Sequence, residues 1–419
     1  MKFVKSAVCI QCGEEHHALP SLTTCRQCGG LLEILYDYPA IAANLSKQDL
    51  AARQDNTMWR FREFLPVAEE SVAAGLFSSG LRVGGSPLYP AKALGGHLGL
   101  SSLFIKDDGL NPTASLKDRA SALAVIKAIE AGADTIACSS TGNAASSLAG
   151  NAAARGLKTF IFVPSRAPKG KVAQLMMFGA KVISVEGSYE DTFRLSAEAI
   201  DRWGWYNRNA AINPYMLEGK KTVALEIAEQ LNWQVPDYVA ISVGDGCTIA
   251  GVWKGFKDLY ETGFIDRLPR LISVQAAGCC PINNAVDADS ETLIPMEENT
   301  LADSIAVGVP RNFLKAVRAI KESKGITVNV SDQEILEAMA LLGKTQGVFG
   351  EPAGVTGTAG LIKALAQKQI PADATVVSVV TGNGLKDIAN AINAAGQPLL
   401  LPPDLKRLAG EFQNLGWLS

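Results

Sequence analysis

The sequence predicts an α/β protein with two lobes, each a three-layer stack of a parallel sheet between helices, behind a small N-terminal cysteine module. Three observations carry this. Short apolar runs of strand length alternate with segments of helical period from about residue 103 to residue 380. Buried strands separated by helices imply parallel sheets with both faces covered. The 419 residues, 47% hydrophobic and 19% charged, suffice for two cores. Four of the eight cysteines fall as two close pairs within the first thirty residues.

Taken in order, residues 1–38 form the cysteine module and residues 39–419 the main body, whose smaller lobe is built around about 120–210. Cys9 and Cys12, then Cys25 and Cys28, make two C-x-x-C pairs, each followed by a glycine (Gly13, Gly29). Glycine lets the backbone turn so that both thiolates of a knuckle face one metal. Two knuckles read as a four-cysteine zinc ribbon, structural because four thiolates leave no open position. The apolar run Leu31 to Tyr36 closes it. Residues 40–80 look helical and polar, a segment wrapping the body. Gly84 to Leu88 turns into a short strand, and Leu103 to Lys106 is another. Strands at 135–138, 159–163 and 181–185 alternate with helices at 144–155, 171–178 and 189–203. A helix at 220–231, a strand at 238–243, a helix at 249–260 and a strand at 271–275 follow. Residues 277–302 lack periodicity and read as a long loop. Ser331 with Glu334 is a capping box opening a helix, and Thr375 to Val380 is the last clear strand.

Composition excludes several functions. A net charge of −3 leaves no nucleic-acid footprint. No run of 18 apolar residues predicts a membrane span. Met1 to Ile10 lacks the apolar core of a signal peptide, so a cytoplasmic protein is expected. Three histidines, two of them (His16, His17) inside the ribbon loop, argue against Ser-His or Cys-His catalysis and leave lysine as the acid–base group.

Lys117 is that lysine. The turn Asn111-Pro112 delivers a polar stretch, then Lys117, then an apolar-periodic helix from about Ala120 to Glu130. At a helix N-terminus the positive dipole end should lower its pKa and free it for imine chemistry. Two loops join it. Ser139 to Asn143 ends one strand and opens a helix, and Val243 to Thr248 does the same further on. A dinucleotide site fits poorly, because Gly244-x-Gly246-x-x-Ile249 lacks the third glycine. Glu218 to Thr222 is half a P-loop and is discarded likewise.

Together these stretches resemble the pyridoxal-phosphate enzymes of fold type II, the tryptophan-synthase-β type, and most closely the threonine synthase family. The resemblance runs from about Gly84 to Ile392, and it implies the two-lobed fold, the cofactor and its ligands. Lys117 lies in a Ser-x-Lys-Asp-Arg motif, Ser115 to Arg119. Asn143, in the Ser140 to Asn143 loop, is implied to hold the cofactor ring. Gly244, Asp245, Gly246, Cys247 and Thr248 are implied to cradle its phosphate, with the Asp245 carboxylate out of place beside a phosphate unless it points away. Thr381, in a Thr-Gly-x-Gly-Leu-Lys-Asp motif, is implied to meet the ring nitrogen. Ser115, Ser140, Thr141, Lys171 and Lys220 are candidates for the substrate, a small amino acid. Many relatives carry an N-terminal ribbon, and a homodimer is the family habit.

The substrate end departs from the family. Met216 stands where many members have an arginine, and Ala210 and Ala211 replace an asparagine and a serine. Since arginine grips phosphate bidentately and methionine cannot, weak or altered use of phosphohomoserine is expected, with Met216→Arg raising it. β-Replacement or deamination of serine, phosphoserine or threonine is the alternative, and a non-catalytic relative that binds the cofactor is the second. Ala114, Leu116, Ala120 and Asn383 also differ from the usual residues around the site.

Overall fold

A computed structural model describes residues 1–140, 142–167, 169–209 and 212–417. Three antiparallel strands open the chain: β1 (Val4–Cys9), β2 (Glu15–His16) and β3 (Leu32–Tyr36), in the order β2-β1-β3. They are tied to the body by buried bonds, with Lys315 donating to the Leu32 carbonyl and Lys254 to that of Ile34. Two short helices follow, α1 (Tyr38–Asn44) and α2 (Lys47–Ala52), capped by Asp37 and by a Ser46–Asp49 capping box.

The 40–80 segment is not the polar wrap expected from its sequence. Its 3₁₀ turn Met58–Phe64 buries Met58, Trp59, Phe61 and Phe64 completely, and Trp59 stacks on Phe77 at 4.5 Å. The charged residues between these apolar ones mask the pattern: Arg60 and Glu63 are themselves mostly buried, in salt bridges with Glu229 and Arg53. Helix α3 (Glu69–Ala73) ends the segment.

The larger sheet begins with β4 (Leu88–Pro90), α4 (Lys92–Leu98), β5 (Ser102–Asp107) and α5 (Lys117–Glu130). The chain then builds the smaller sheet from β6 (Thr135–Ser139), α6 (Asn143–Ala153), β7 (Lys158–Pro164), α7 (Lys169–Met177), β8 (Lys181–Val185), α8 (Tyr189–Trp203) and β9 (Tyr206–Asn207). It returns through α9 (Tyr215–Lys220) and α10 (Thr222–Gln230) to β10 (Tyr238–Ser242), α11 (Cys247–Glu261), β11 (Arg270–Ala276), α12 (Pro281–Asp287), α13 (Phe313–Glu322), β12 (Ile326–Val330), α14 (Asp332–Gln346), α15 (Pro352–Ala366) and β13 (Thr375–Val380). Helices α16 (Ile388–Ala395) and α17 (Leu405–Asn414) end it.

The larger sheet has the order β12-β11-β10-β13-β5-β4 and the smaller β8-β7-β6-β9. The smaller is parallel throughout; the larger is parallel except for β4, which pairs antiparallel with β5 at the edge. The stretch 277–302 is not wholly loop. Pro281 starts α12, and Asn283 inside it donates to the carbonyls of Ser273 and Val328. An interior position filled by a hydrogen-bonding asparagine erases the apolar period by which helices are read.

Candidate active site

Four helices begin at one place. Lys117 opens α5, Asn143 opens α6, Cys247 opens α11, and Glu351 caps α15. The loops leading to the first three leave the carboxyl ends of β5, β6 and β10, the one to α15 leaves α14, and Thr381 leaves the end of β13. Ligands of open parallel sheets bind at those ends, and convergent helix N-termini attract anions there.

The Lys117 loop is held by two buried devices. Asp118 accepts from the backbone N–H and hydroxyl of Thr113, at 2.7 and 2.8 Å, and from Asn151 at 2.9 Å. Arg119 is fully buried and pairs with Asp108 at 2.7 Å and Glu226 at 2.6 Å, while Lys106 pairs with Glu226 from the other side at 2.6 Å. Burial acts to raise Glu226, but Arg119 and Lys106 hold its carboxyl down at about 2. Leu116 donates its N–H to the Thr381 carbonyl at 2.9 Å, and Ser115 bridges Gly382. Thr381 and Lys117 are thereby locked together.

Ala114 sits in this loop at φ 67°, the left-handed region that penalises a side chain. Ala114→Gly is therefore expected to stabilise the protein by about 1 kcal/mol, read from the midpoint of a denaturant titration; an unchanged or lower midpoint contradicts it.

Lys117 is partly exposed in the recess so formed. Burial first, then the charges of Lys220 and Arg208, bring its pKa down to about 8, with Cys247 and Glu351 opposing. The direction expected from the helix N-terminus is found, but the neighbouring cations are a cause the sequence reading passed over. They reach Lys117 through helix α9. At Gly219 a Cβ would meet the Arg119 carbonyl of α5 at 2.3 Å, and at Gly255 one would meet the Lys221 carbonyl at 2.4 Å. These glycine contacts press α9 between α5 and α11 and set Lys220 beside Cys247, to whose sulfur it hydrogen-bonds. Helix α9 begins at Tyr215, before the expected start at 220, so Met216 and Lys220 are one turn apart on one helix; both are buried.

The Gly244–Thr248 loop runs from β10 into α11, with Cys247 and Thr248 as the first turn of the helix. Gly246 lies at φ 86°, and a Cβ on it would meet that of Ala316 at 2.7 Å; one on Gly244 would meet Ile305 Cα at 2.8 Å. Asp245 is accommodated because its carboxylate turns to the Arg311 N–H, 2.7 Å away.

Asn143 donates to Glu351 at 2.6 Å, a buried residue the sequence reading missed. Burial raises the Glu351 pKa against Asn143, Lys117, Lys171 and Lys386. Gly382 is required here, since a Cβ on it would lie 2.0 Å from Glu351 Oε1. The one sequence signal for Glu351 is the helix-opening proline behind it. Lys171 pairs with Asp303 at 3.1 Å and lines a recess with Asn143, Ser146, Gln174 and Lys386. Ser140 accepts the Gly142 N–H at 3.2 Å. Thr141, Ala210 and Ala211 lie outside the described residues. Ser115 Oγ is buried and has no hydrogen-bond partner among the described residues, as is true of Ser139 Oγ. Buried hydroxyls left without partners beside Lys117 and the Asn143 loop, together with the glycine cradle, fit a polar cofactor bearing a phosphate.

Away from this site, the sulfurs of Cys9, Cys12, Cys25 and Cys28 lie within 4.8 Å of one another, all as free thiols. Neighbouring sulfurs are 3.4 to 3.7 Å apart, and His16 Nε2 is 3.2 Å from the Cys25 sulfur.

Fold and site together suit an anionic cofactor set beside Lys117 at the carboxyl ends of parallel strands. A profile of the family described as "Pyridoxal-phosphate dependent enzyme" matches residues 80–382. The threonine synthase of Methanocaldococcus jannaschii is 41% identical over 409 residues, 96% of this chain and 99% of that one. That of Methanosarcina acetivorans is 38% identical over 400 residues, 95% and 96% of the two chains. Among solved structures, threonine deaminase isoform 2 from Solanum lycopersicum superposes with TM-score 0.64 at 20% identity, over 78% of this chain and 91% of that one. Maize serine racemase gives 0.62 at 22%, over 79% and 93%. The last two share the fold. The chain belongs to the pyridoxal-phosphate dependent enzyme family and, within it, to the threonine synthase group. It is a lyase of that type.

Proposed function

We propose that the protein is a threonine synthase, converting phosphohomoserine to threonine and phosphate. The observation that carries this is the match to curated threonine synthases along nearly their whole length, with Lys117, Asn143, the Gly244–Thr248 loop and Thr381 gathered at one site. When bound, pyridoxal phosphate supplies an electron sink for the carbanion at the α-carbon. Lys117 anchors it and, with a pKa near 8, takes and returns protons close to neutral pH. A leaving group on the γ-carbon requires a second proton to move, and Lys117 is the group placed to carry it. Asn143 orients the ring. The Thr381 hydroxyl meets the ring nitrogen as an uncharged partner. Ser115, Ser140 and Lys171 are assigned to the substrate. The test is threonine and phosphate released from phosphohomoserine, run beside threonine, serine and phosphoserine. Equal release of the two products supports the reading; keto-acid formation from threonine or serine, without threonine from phosphohomoserine, overturns it.

The N-terminal module is read as a zinc ribbon spanning residues 1–38. Thiolates about 2.3 Å from a tetrahedral ion would be about 3.8 Å apart, close to the spacings found. One zinc per chain is expected by metal analysis. Cys12→Ser with Cys28→Ser should abolish it, with activity falling only as far as stability does; full metal content in that variant contradicts the assignment. Residues 39–419 are read as the catalytic body, and the protein as a cytoplasmic homodimer, checked by sedimentation.

A further inference from the structure

Eight lysines and arginines are buried among the described residues, and six of them, Lys106, Arg119, Lys127, Lys221, Lys254 and Lys315, have a carboxylate within 4 Å. Arg208 and Lys220 do not; Asp118 acts on Arg208 only from farther off, its carboxylate being bound by Thr113 and Asn151. Arg208, just past β9, is 1% exposed and spends two of its nitrogens on one neutral hydroxyl, Ser121, at 3.1 and 2.9 Å. Lys220, also 1% exposed, has the Cys247 sulfur as its hydrogen-bond partner. Its electrostatic neighbour Asp245 has turned its carboxylate to the Arg311 N–H. The residues outside the description nearest Arg208 in sequence, Ala210 and Ala211, carry no charge.

Buried cations without counter-ions are costly, so they persist where an anion arrives. Both of these also bear on Lys117, one from the smaller sheet and one from α9. The Gly244–Thr248 backbone already provides for the cofactor's phosphate. We infer that Arg208 and Lys220 form a second dianion subsite, which holds the phosphate leaving group of the substrate. This deepens the proposed function and rests on it. Met216, one turn before Lys220 on α9, then needs no arginine: a third buried cation would add repulsion rather than grip, so Met216→Arg lowers the use of phosphohomoserine.

The test uses the cofactor-loaded protein and the variants Arg208→Met and Lys220→Met, with Arg208→Lys and Lys220→Arg as charge-keeping partners that separate loss of charge from loss of fold. Inorganic phosphate binding is measured by calorimetry, phosphohomoserine kinetics by threonine release, and pyridoxal phosphate affinity by absorbance titration of the stripped protein. Each methionine variant is expected to weaken phosphate binding and kcat/KM by about tenfold or more, with cofactor affinity nearly unchanged and the charge-keeping variants near the native protein. Cofactor affinity falling in step assigns the cations to the cofactor's phosphate and overturns the inference. So does phosphate binding that survives both methionine variants, or that is lost equally in the charge-keeping ones. If the native protein makes no threonine yet binds phosphate through both residues, the function reading fails while the dianion subsite stands.

Discussion

Lys117→Ala is expected to abolish the visible absorbance of the purified protein and to lower threonine formation by at least about 10³-fold, the scale of removing a positioned acid–base group that is also the covalent anchor. The fold should survive, because Lys117 makes no ion pair among the described residues and its removal relieves the repulsion from Lys220 and Arg208. The same electrostatics set a pH dependence. The neutral amine attacks the cofactor's aldehyde, so the rate at which stripped native protein takes up pyridoxal phosphate should climb with pH and level off above about 8. A rate still climbing steeply at pH 10 would mean an ordinary lysine.

Arg119→Met is the second large effect. It leaves Asp108 without its ion-pair partner and Glu226 with Lys106 alone, in a site without solvent. Removing one member of a buried, hydrogen-bonded charge network costs about 3–5 kcal/mol. The denaturation midpoint should fall accordingly, and cofactor affinity with it, since Arg119 is two residues from Lys117 on the same helix. The network's contribution also has a pH signature. The folded pKa of Glu226 lies below its unfolded value, so its stabilisation is complete above the ordinary carboxylate range and is lost as pH falls through about 2. A loss below about 1 kcal/mol in the variant would mean that the network is not charged in the way described.

The sequence and the structure agree best where one physical signal dominates. Strand β8, helix α8 and strand β13 have the boundaries read from their apolar runs, and the capping box at Ser331 opens α14 as expected. Helix α15 escaped because it is built of small residues. Gly357 and Gly360 let it lie directly on β10 and β11, where a Cβ on Gly360 would press Val274, and glycines read as loop rather than helix. Strand β9 is too short to show a period. The recess where Lys117, Asn143, the Gly244–Thr248 loop and Thr381 meet joins segments whose strand ends, turns and helix starts carry local sequence signals. Arg208 and Glu351 were not legible in the sequence, because nothing local distinguishes a buried charge from a solvated one. Only the fold reveals that Arg208 is buried past the edge strand β9 against Ser121 of α5, or that Glu351 faces Asn143.

The central claim is that this recess is a pyridoxal-phosphate site anchored at Lys117. Borohydride reduction of the cofactor-loaded protein, followed by proteolysis and mass spectrometry, tests it most directly. The account predicts one phosphopyridoxyl group per chain, on the peptide containing Lys117 and on that lysine alone. A label on Lys220, on Lys171 or on scattered surface lysines, or no label at all, would contradict it.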